Sequence, residues 1–343
     1  LMMIRRNGPG CGRNRCDDNM KTEFPWLDTL QGAVAVDVAA RCGLLENLAN
    51  GSDEIDCPAL LETLLTGAGV IKRDGEALAL THDFAKAWQS DSAAISARAS
   101  FIRRAAADVA LGLDEMIFDL SAFMGKSSTF RLFRYDLAEG TTPKHLSATR
   151  EWVDYVEALS RSESPHLVPL IALQEGDRVL EVGGNTGLMS EALIKTYAGV
   201  TSRIMDLPAV CALGRERRDV PGLEFITADA RKEDSFVPFA GSVDVILFKS
   251  VLHDWPANDV TDMLTRAMHI LSPGGRIIIC ERGAYGPEDA AVNSANTLAN
   301  LVFGQFYRGP EFYHDIMAEN GFVVTRQSVQ LDMMFHATIG TCP

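Results

Sequence analysis

The 343-residue chain lacks any stretch that would cross a bilayer: its longest run without charge, Ala290 to Tyr307, is interrupted by Asn293, Asn296, Asn300 and Gln305. A span needs about 20 mostly apolar residues, so no membrane partner is expected. No apolar core follows the first charges, so no secretory signal is read. The seven cysteines include no C-x-x-C pair. Cys11 and Cys16 find no partners at metal-ligand spacing, so no metal is expected. Reduced thiols in a cytoplasmic protein are the simpler reading. Repeats of 20–50 residues and low-complexity runs are absent. Basic residues are outnumbered, 32 Lys+Arg against 46 Asp+Glu, giving a net charge of −14. An acidic surface repels phosphate, which disfavours nucleic-acid binding.

What remains is a chain of ordinary globular composition, long enough for roughly two domains. Residues 1–22 read as a disordered tail, with Met20 a natural start. Residues 23–165 are dominated by helical periodicity. A helix is expected around Trp26 to Leu48, with Leu27, Leu30, Val34, Val38 and Leu45 near helical spacing. A second helix starts at Pro58. Val70-Ile71 and Leu78 to Leu80 follow as short strands about a turn at Asp74-Gly75. Helix, helix and a two-stranded wing suggest a winged-helix-like module. Residues 1–100 hold ten basic against fourteen acidic side chains, so packing or dimerisation fits better than DNA reading. Farther on, Phe101, Leu111, Ile117, Phe118 and Phe123 are expected in the core, and Pro165 and Pro169 are expected to kink or break a helix.

Residues 166–343 alternate short apolar runs with amphipathic helices. This predicts an α/β fold with a doubly wound, Rossmann-like sheet, completed by two strands at the end of the chain. In such sheets a ligand lies beyond the carboxyl ends of the strands. The first strand, Arg178 to Val182, exits through Glu181-Val-Gly183-Gly184-Asn185-Thr186-Gly187. Glycines there let backbone approach a ligand, and Asn185 tolerates the left-handed region where a glycine would be usual. The next strand ends at Asp206, 19 residues after Gly187, where a carboxylate suits the two hydroxyls of a ribose. A third strand ends at Thr227-Ala228-Asp229. A fourth runs into Phe248-Lys-Ser-Val-Leu-His253-Asp254-Trp255-Pro256. An imidazole at a strand exit suits general-base work near neutrality. Glu281, ending the next strand, would fix its tautomer.

Together VLEVGGNTG, MDLPAV, ADA, FKSVLHDWP and LSPGGRIIICE resemble class I S-adenosylmethionine-dependent methyltransferases. More narrowly, the chain resembles small-molecule O-methyltransferases of the caffeic-acid type and their bacterial natural-product relatives. The resemblance implies a homodimer joined through the N-terminal part, a small-molecule acceptor and S-adenosylmethionine as cofactor, in secondary metabolism. It implies cofactor contacts at Glu181, Gly183, Gly184, Gly187, Asp206, Leu207, Asp229, Ala230, Lys249, Ser250 and Trp255. His253 would be the base, with Glu281 and Asp254 beside it. Phe118, Met124, Trp152, Asn300, Phe303 and Phe306 are candidate walls of the acceptor pocket. One departure stands out: where the family has G-x-E-R-T, this chain has FGQFYRGPEF (303–312), and the motif's glutamate, a second partner of the histidine, is aligned with Phe306. That departure leaves carbon, nitrogen, sulfur or carboxyl acceptors open, as well as a non-methylating member that only binds the cofactor.

Overall fold

The computed structural model describes residues 24–52, 56–75 and 77–343; the tail expected over 1–22, with Cys11 and Cys16, lies outside them. Helices α1 (Leu30–Arg41), α2 (Leu44–Ala49) and α3 (Ala59–Gly67) precede an antiparallel hairpin of β1 (Ile71–Asp74) and β2 (Ala77–Leu80). The single helix expected over 26–48 is broken at Gly43, whose φ of +77° ends one helix and starts the next. Thr29 starts α1 by accepting a hydrogen bond from the Gly32 amide at 3.1 Å. The buried face of α1 carries Ala33, Val36 and Ala39, whereas Leu30 and Val38 face outward. The face is set by packing on Leu65, Phe84 and Ile95, and small residues let the helices approach closely.

Helix α4 (His82–Phe118) is broken at Asp91, whose carboxylate caps the second segment by accepting from the Ala94 amide at 3.0 Å. Short helices α5 (Leu120–Lys126) and α6 (Tyr135–Ala138) lead to α7 (Pro143–Ile171). Pro165 and Pro169 do not end α7. Both rings lie on its exposed side, while Leu167, Val168 and Ile171 are buried against the sheet on the other. That packing outweighs the lost backbone hydrogen bonds. The helix therefore crosses the boundary expected at residue 165 and is shared by both halves.

In the C-terminal half, β3 (Arg178–Val182), α8 (Leu188–Thr196), β4 (Thr201–Asp206), α9 (Pro208–Arg217), β5 (Leu223–Thr227), β6 (Val245–Lys249), α10 (Ala257–His269) and β7 (Arg276–Arg282) alternate as the pattern predicts. Helices α11 (Pro287–Ala290), α12 (Leu298–Phe303) and α13 (Pro310–Glu319) precede β8 (Val323–Gln330) and β9 (Met334–Thr341). The seven strands are ordered β5-β4-β3-β6-β7-β9-β8. Only β9 runs against its neighbours β7 and β8. Side chains alternate between two cores: Ile246, Phe248, Ile277 and Ile279 meet α10 and α13, while Val245, Leu247, Ile278 and Cys280 meet α7 and α8. The order reverses between β3 and β6, which opens a crevice at their carboxyl ends.

A buried ion network ties α7 to that edge of the sheet. Glu163 pairs with Lys249 at the end of β6 and accepts from Arg282 Nη2, at the end of β7, at 2.6 Å. Lys249 also donates to Ser160 Oγ at 3.2 Å. Removing one partner leaves the others charged and dry, at a cost of about 3–5 kcal/mol. Glu163→Ala is therefore expected to lower unfolding stability by that amount in equilibrium denaturation, several times the effect of truncating the exposed Glu311.

Candidate active site

The turn after β3 is built by backbone conformations that few residues adopt. Gly183 has φ +66°, and a Cβ on it would sit 2.5 Å from Val251 Cγ2. Asn185 takes φ +51° in the left-handed region, as read from the sequence. Its amide donates to Asp206 Oδ2 at 2.9 Å, and the Leu207 amide donates to Oδ1 at 2.7 Å. Burial nevertheless pushes the Asp206 carboxyl up to about 7.

These groups border a cavity of about 100 Å³, lined by Gly183, Asp206, Leu207, Asp229, Ala230, Ser250 and Trp255. The Asp229 carboxylate is held by Arg231, whose guanidinium lies 4.4 Å above the Trp255 ring. Ser250 is held at φ +52°, and its buried Oγ has no hydrogen-bond partner among the described residues. A positive φ in a non-glycine residue is costly and is held there by its surroundings.

Three expected lining residues instead support the turn from beneath. Glu181 is 2% exposed and accepts a hydrogen bond from Ser190, because β3 alternation turns it away from the crevice. Its burial pushes the carboxyl up to about 7. Gly184 lies over it, since a Cβ there would be 2.9 Å from Glu181 Cδ, and at Gly187 a Cβ would be 2.4 Å from Ile204 Cδ1. Lys249 is drawn by Glu163 into the wall of a second, larger cavity.

That cavity has a volume of about 630 Å³ and lies between the helical half and the strand ends. The two share Tyr135, Val156, Ser250 and Asp254 in their walls, so they meet there. His253 faces the larger one. Its Nδ1 is 2.8 Å from Glu281 Oε2, and its Nε2 is 3.5 Å from Asp254 Oδ1. Glu281 Oε1 accepts from the amides of Val251 and Leu252 at 2.9 and 2.8 Å. Tyr135 donates to Asp254 Oδ2 at 2.9 Å. With Glu281 on Nδ1, Nε2 is the nitrogen left to accept a proton from a bound molecule.

Asn300 and Phe303 line this cavity as expected. The other candidate walls lie elsewhere. Trp152 borders the smaller cavity, its ring 5.3 Å from that of Tyr135. Phe118 is 87% exposed and Met124 38%, on the outer surface of α4 and α5, because the inner face of that pair is filled by Met116 and Phe123. Phe306 packs on Phe130, with ring centroids 5.4 Å apart. It is Tyr307 that stands against the imidazole, at 5.2 Å between rings. Arg308 donates to the carbonyls of Leu252 and Trp255 at 3.0 and 2.5 Å, pinning the turn that carries His253. Tyr135 and Glu163 had no signal in the sequence, since their partners are more than 80 residues away.

Burial alone would push the His253 imidazole down, but the carboxylates of Glu281 and Asp254 outweigh it and the net shift is upward. Burial would likewise raise Glu281, yet His253 and the two amides hold it below the usual carboxylate range. The ion pair therefore stabilises the fold in full between the ordinary carboxylate value of about 4.3 and the ordinary imidazole value of about 6.5, and its contribution fades as pH rises through the raised imidazole value or falls through the lowered carboxylate one. By NMR titration His253 is expected to lose its proton above 6.5. In Glu281→Gln burial dominates and the midpoint moves to lower pH; an unmoved midpoint would contradict the pairing.

A profile of the O-methyltransferase domain family matches residues 141–323. The 3-hydroxy-5-methyl-1-naphthoate 3-O-methyltransferase of Streptomyces sahachiroi is 31% identical over 140 residues, covering 39% of this chain and 40% of that one. The acetylserotonin O-methyltransferase of Macaca mulatta is 27% identical over 190 residues, covering 49% and 54%. The matched stretches thus span about half or less of these curated relatives. The crystal structure of human N-acetylserotonin methyltransferase in complex with SAM superposes with a TM-score of 0.65 at 16% identity, over 91% of this chain and 94% of that one. The likeness in fold thus extends through the helical half, beyond the stretch matched in sequence. With more than half of its length matched by the profile, the chain belongs to the O-methyltransferase domain family.

Proposed function

We propose that the protein moves a methyl group from S-adenosylmethionine to a hydroxyl of a small aromatic or natural-product acceptor. The observation that carries this reading is the placement of His253, tied to Glu281 and facing the larger cavity where it meets the smaller one. The residues lining the smaller cavity suit the cofactor chemically: Gly183 leaves no room for a Cβ, Ser250 offers an unpartnered hydroxyl, and Asp206 offers two carboxylate oxygens for a ribose. Asp229 and Ala230 would flank the adenine. The bound cofactor supplies an electrophilic methyl on its sulfonium.

This chain's residues do the rest. Aromatic walls around Phe303 and Tyr307 hold the acceptor ring. His253 Nε2 takes the hydroxyl proton, and Glu281 steadies the charge that develops on the imidazole. Positioning of this kind supplies up to about 7–11 kcal/mol of a barrier, and a general base adds about 10²–10⁴-fold. His253→Ala is expected to lower turnover by about 10²–10⁴-fold while leaving the cofactor dissociation constant within about twofold, because the ring faces the other cavity. Equal loss of both would make the histidine structural. A second reading, methylation at carbon, nitrogen, sulfur or carboxylate, is favoured by the aromatic ring of Tyr307, rather than a second carboxylate from the 303–312 segment, standing against the imidazole. Labelled cofactor with a panel of phenols, acids, amines and thiols separates the two.

We further propose that the helical half forms a winged-helix-like module that joins two copies into a homodimer. Leu111, Ile117 and Phe118 are 86%, 57% and 87% exposed on one end of α4, an apolar patch of the kind that marks an interaction site. In analytical ultracentrifugation the wild type is expected as a dimer and Leu111→Asp/Phe118→Asp as a monomer. A wild-type monomer would sink this assignment.

A further inference from the structure

The larger cavity has a second chemical pole. Four cationic side chains other than histidine line it: Arg98, Arg161, Lys249 and Arg282. Lys249 and Arg282 are matched by Glu163 and Asp332, and Arg161 by Asp91 and Glu157. Among the described residues Arg98 makes no ion pair. Its Nη2 donates to Ser162 Oγ at 2.7 Å, and that hydroxyl is oriented by donating to the Leu159 carbonyl at 3.0 Å. The Arg98 Nε is buried without a partner, and the guanidinium lies 5.2 Å above the Phe24 ring. A preorganised guanidinium with free donors is a carboxylate receptor, because its planar fork matches the two oxygens.

The room around it and the base bounds the size of the ligand. Both line one cavity with Phe303 and Phe101 between them in the wall, the Phe303 ring 6.5 Å from that of His253 and 6.3 Å from that of Phe101, and Arg98 lies one helical turn before Phe101. The cavity they share, about 630 Å³, has room for more than a single aromatic ring. We infer that the acceptor is a hydroxylated aromatic acid of two or more rings, its hydroxyl at His253 and its carboxylate on Arg98. This rests on the methyl-transfer reading for the hydroxyl end only.

Calorimetry of the protein saturated with S-adenosylhomocysteine, titrated with a hydroxynaphthoic acid and with the naphthol that lacks the carboxylate, tests it without turnover. The acid is expected to bind at least about tenfold more tightly. That ratio should fall to near one in Arg98→Met and to an intermediate value in Arg98→Lys, which keeps the charge without the fork. The ratio cancels any general loss of binding, and Arg98→Gln replaces the methionine variant if that fails to fold. No preference in the wild type, no binding of either compound, or a preference that survives loss of the guanidinium overturns the inference. If the Arg98-dependent preference holds but labelled S-adenosylmethionine transfers nothing to the acid, the reaction is wrong and the carboxylate site stands.

Discussion

Glu281 is the group on which the site depends. It is buried at the end of β7, and its two oxygens do different work. One receives the amides of Val251 and Leu252, which fixes the turn leaving β6. The other receives the imidazole of the very turn it has fixed. A single carboxylate thus couples the position of a backbone segment to the orientation and proton affinity of a side chain on it. Arg308 clamps the same turn from α13's approach, through the carbonyls of Leu252 and Trp255. The strained Ser250 at the start of this turn is held between β6 and the Glu281-bound amides, at the wall common to both cavities.

The second constraint lies across the crevice. Asp206 organises the turn after β3 by accepting from Asn185, so the carboxylate assigned to a ribose also shapes the glycine loop beside it. This explains how Asn185 serves where a glycine is usual: its φ is positive, its amide has a partner, and its side chain reaches the Val153 carbonyl at 3.2 Å. The helical half takes part in both cavities, through Tyr135 and Trp152 on one and Arg98 and Phe101 on the other.

The strand-helix alternation and the strand exits were legible because period-two apolar runs and their polar terminators lie close together in the chain. Asp206 and Glu281 sit at the ends of strands and His253 in the turn that leaves one, and topology alone brings such strand exits together. The cavity walls were not legible in the same way. Phe118 and Met124 look like core residues by spacing, yet helical periodicity does not say which stripe faces inward when a helix has apolar residues on several sides. Glu181 illustrates the opposite difficulty: its place in a motif suggested contact with ligand, whereas strand alternation buries it beneath the turn. Arg98 gave no signal, because its meaning comes from the absence of a counter-charge among the described residues, and that is visible only in the fold.

Helix α7 carries one further consequence. Its side chains reach the smaller cavity at Trp152, the shared wall at Val156, the ion network at Glu163 and the underside of the sheet at Ile171. A continuous rod embedded in two bodies leaves no joint between them along its length. A molecule in the larger cavity is therefore flanked on one side by this rod and on the other by Arg98 and Phe101 of α4 and Phe303 of α12.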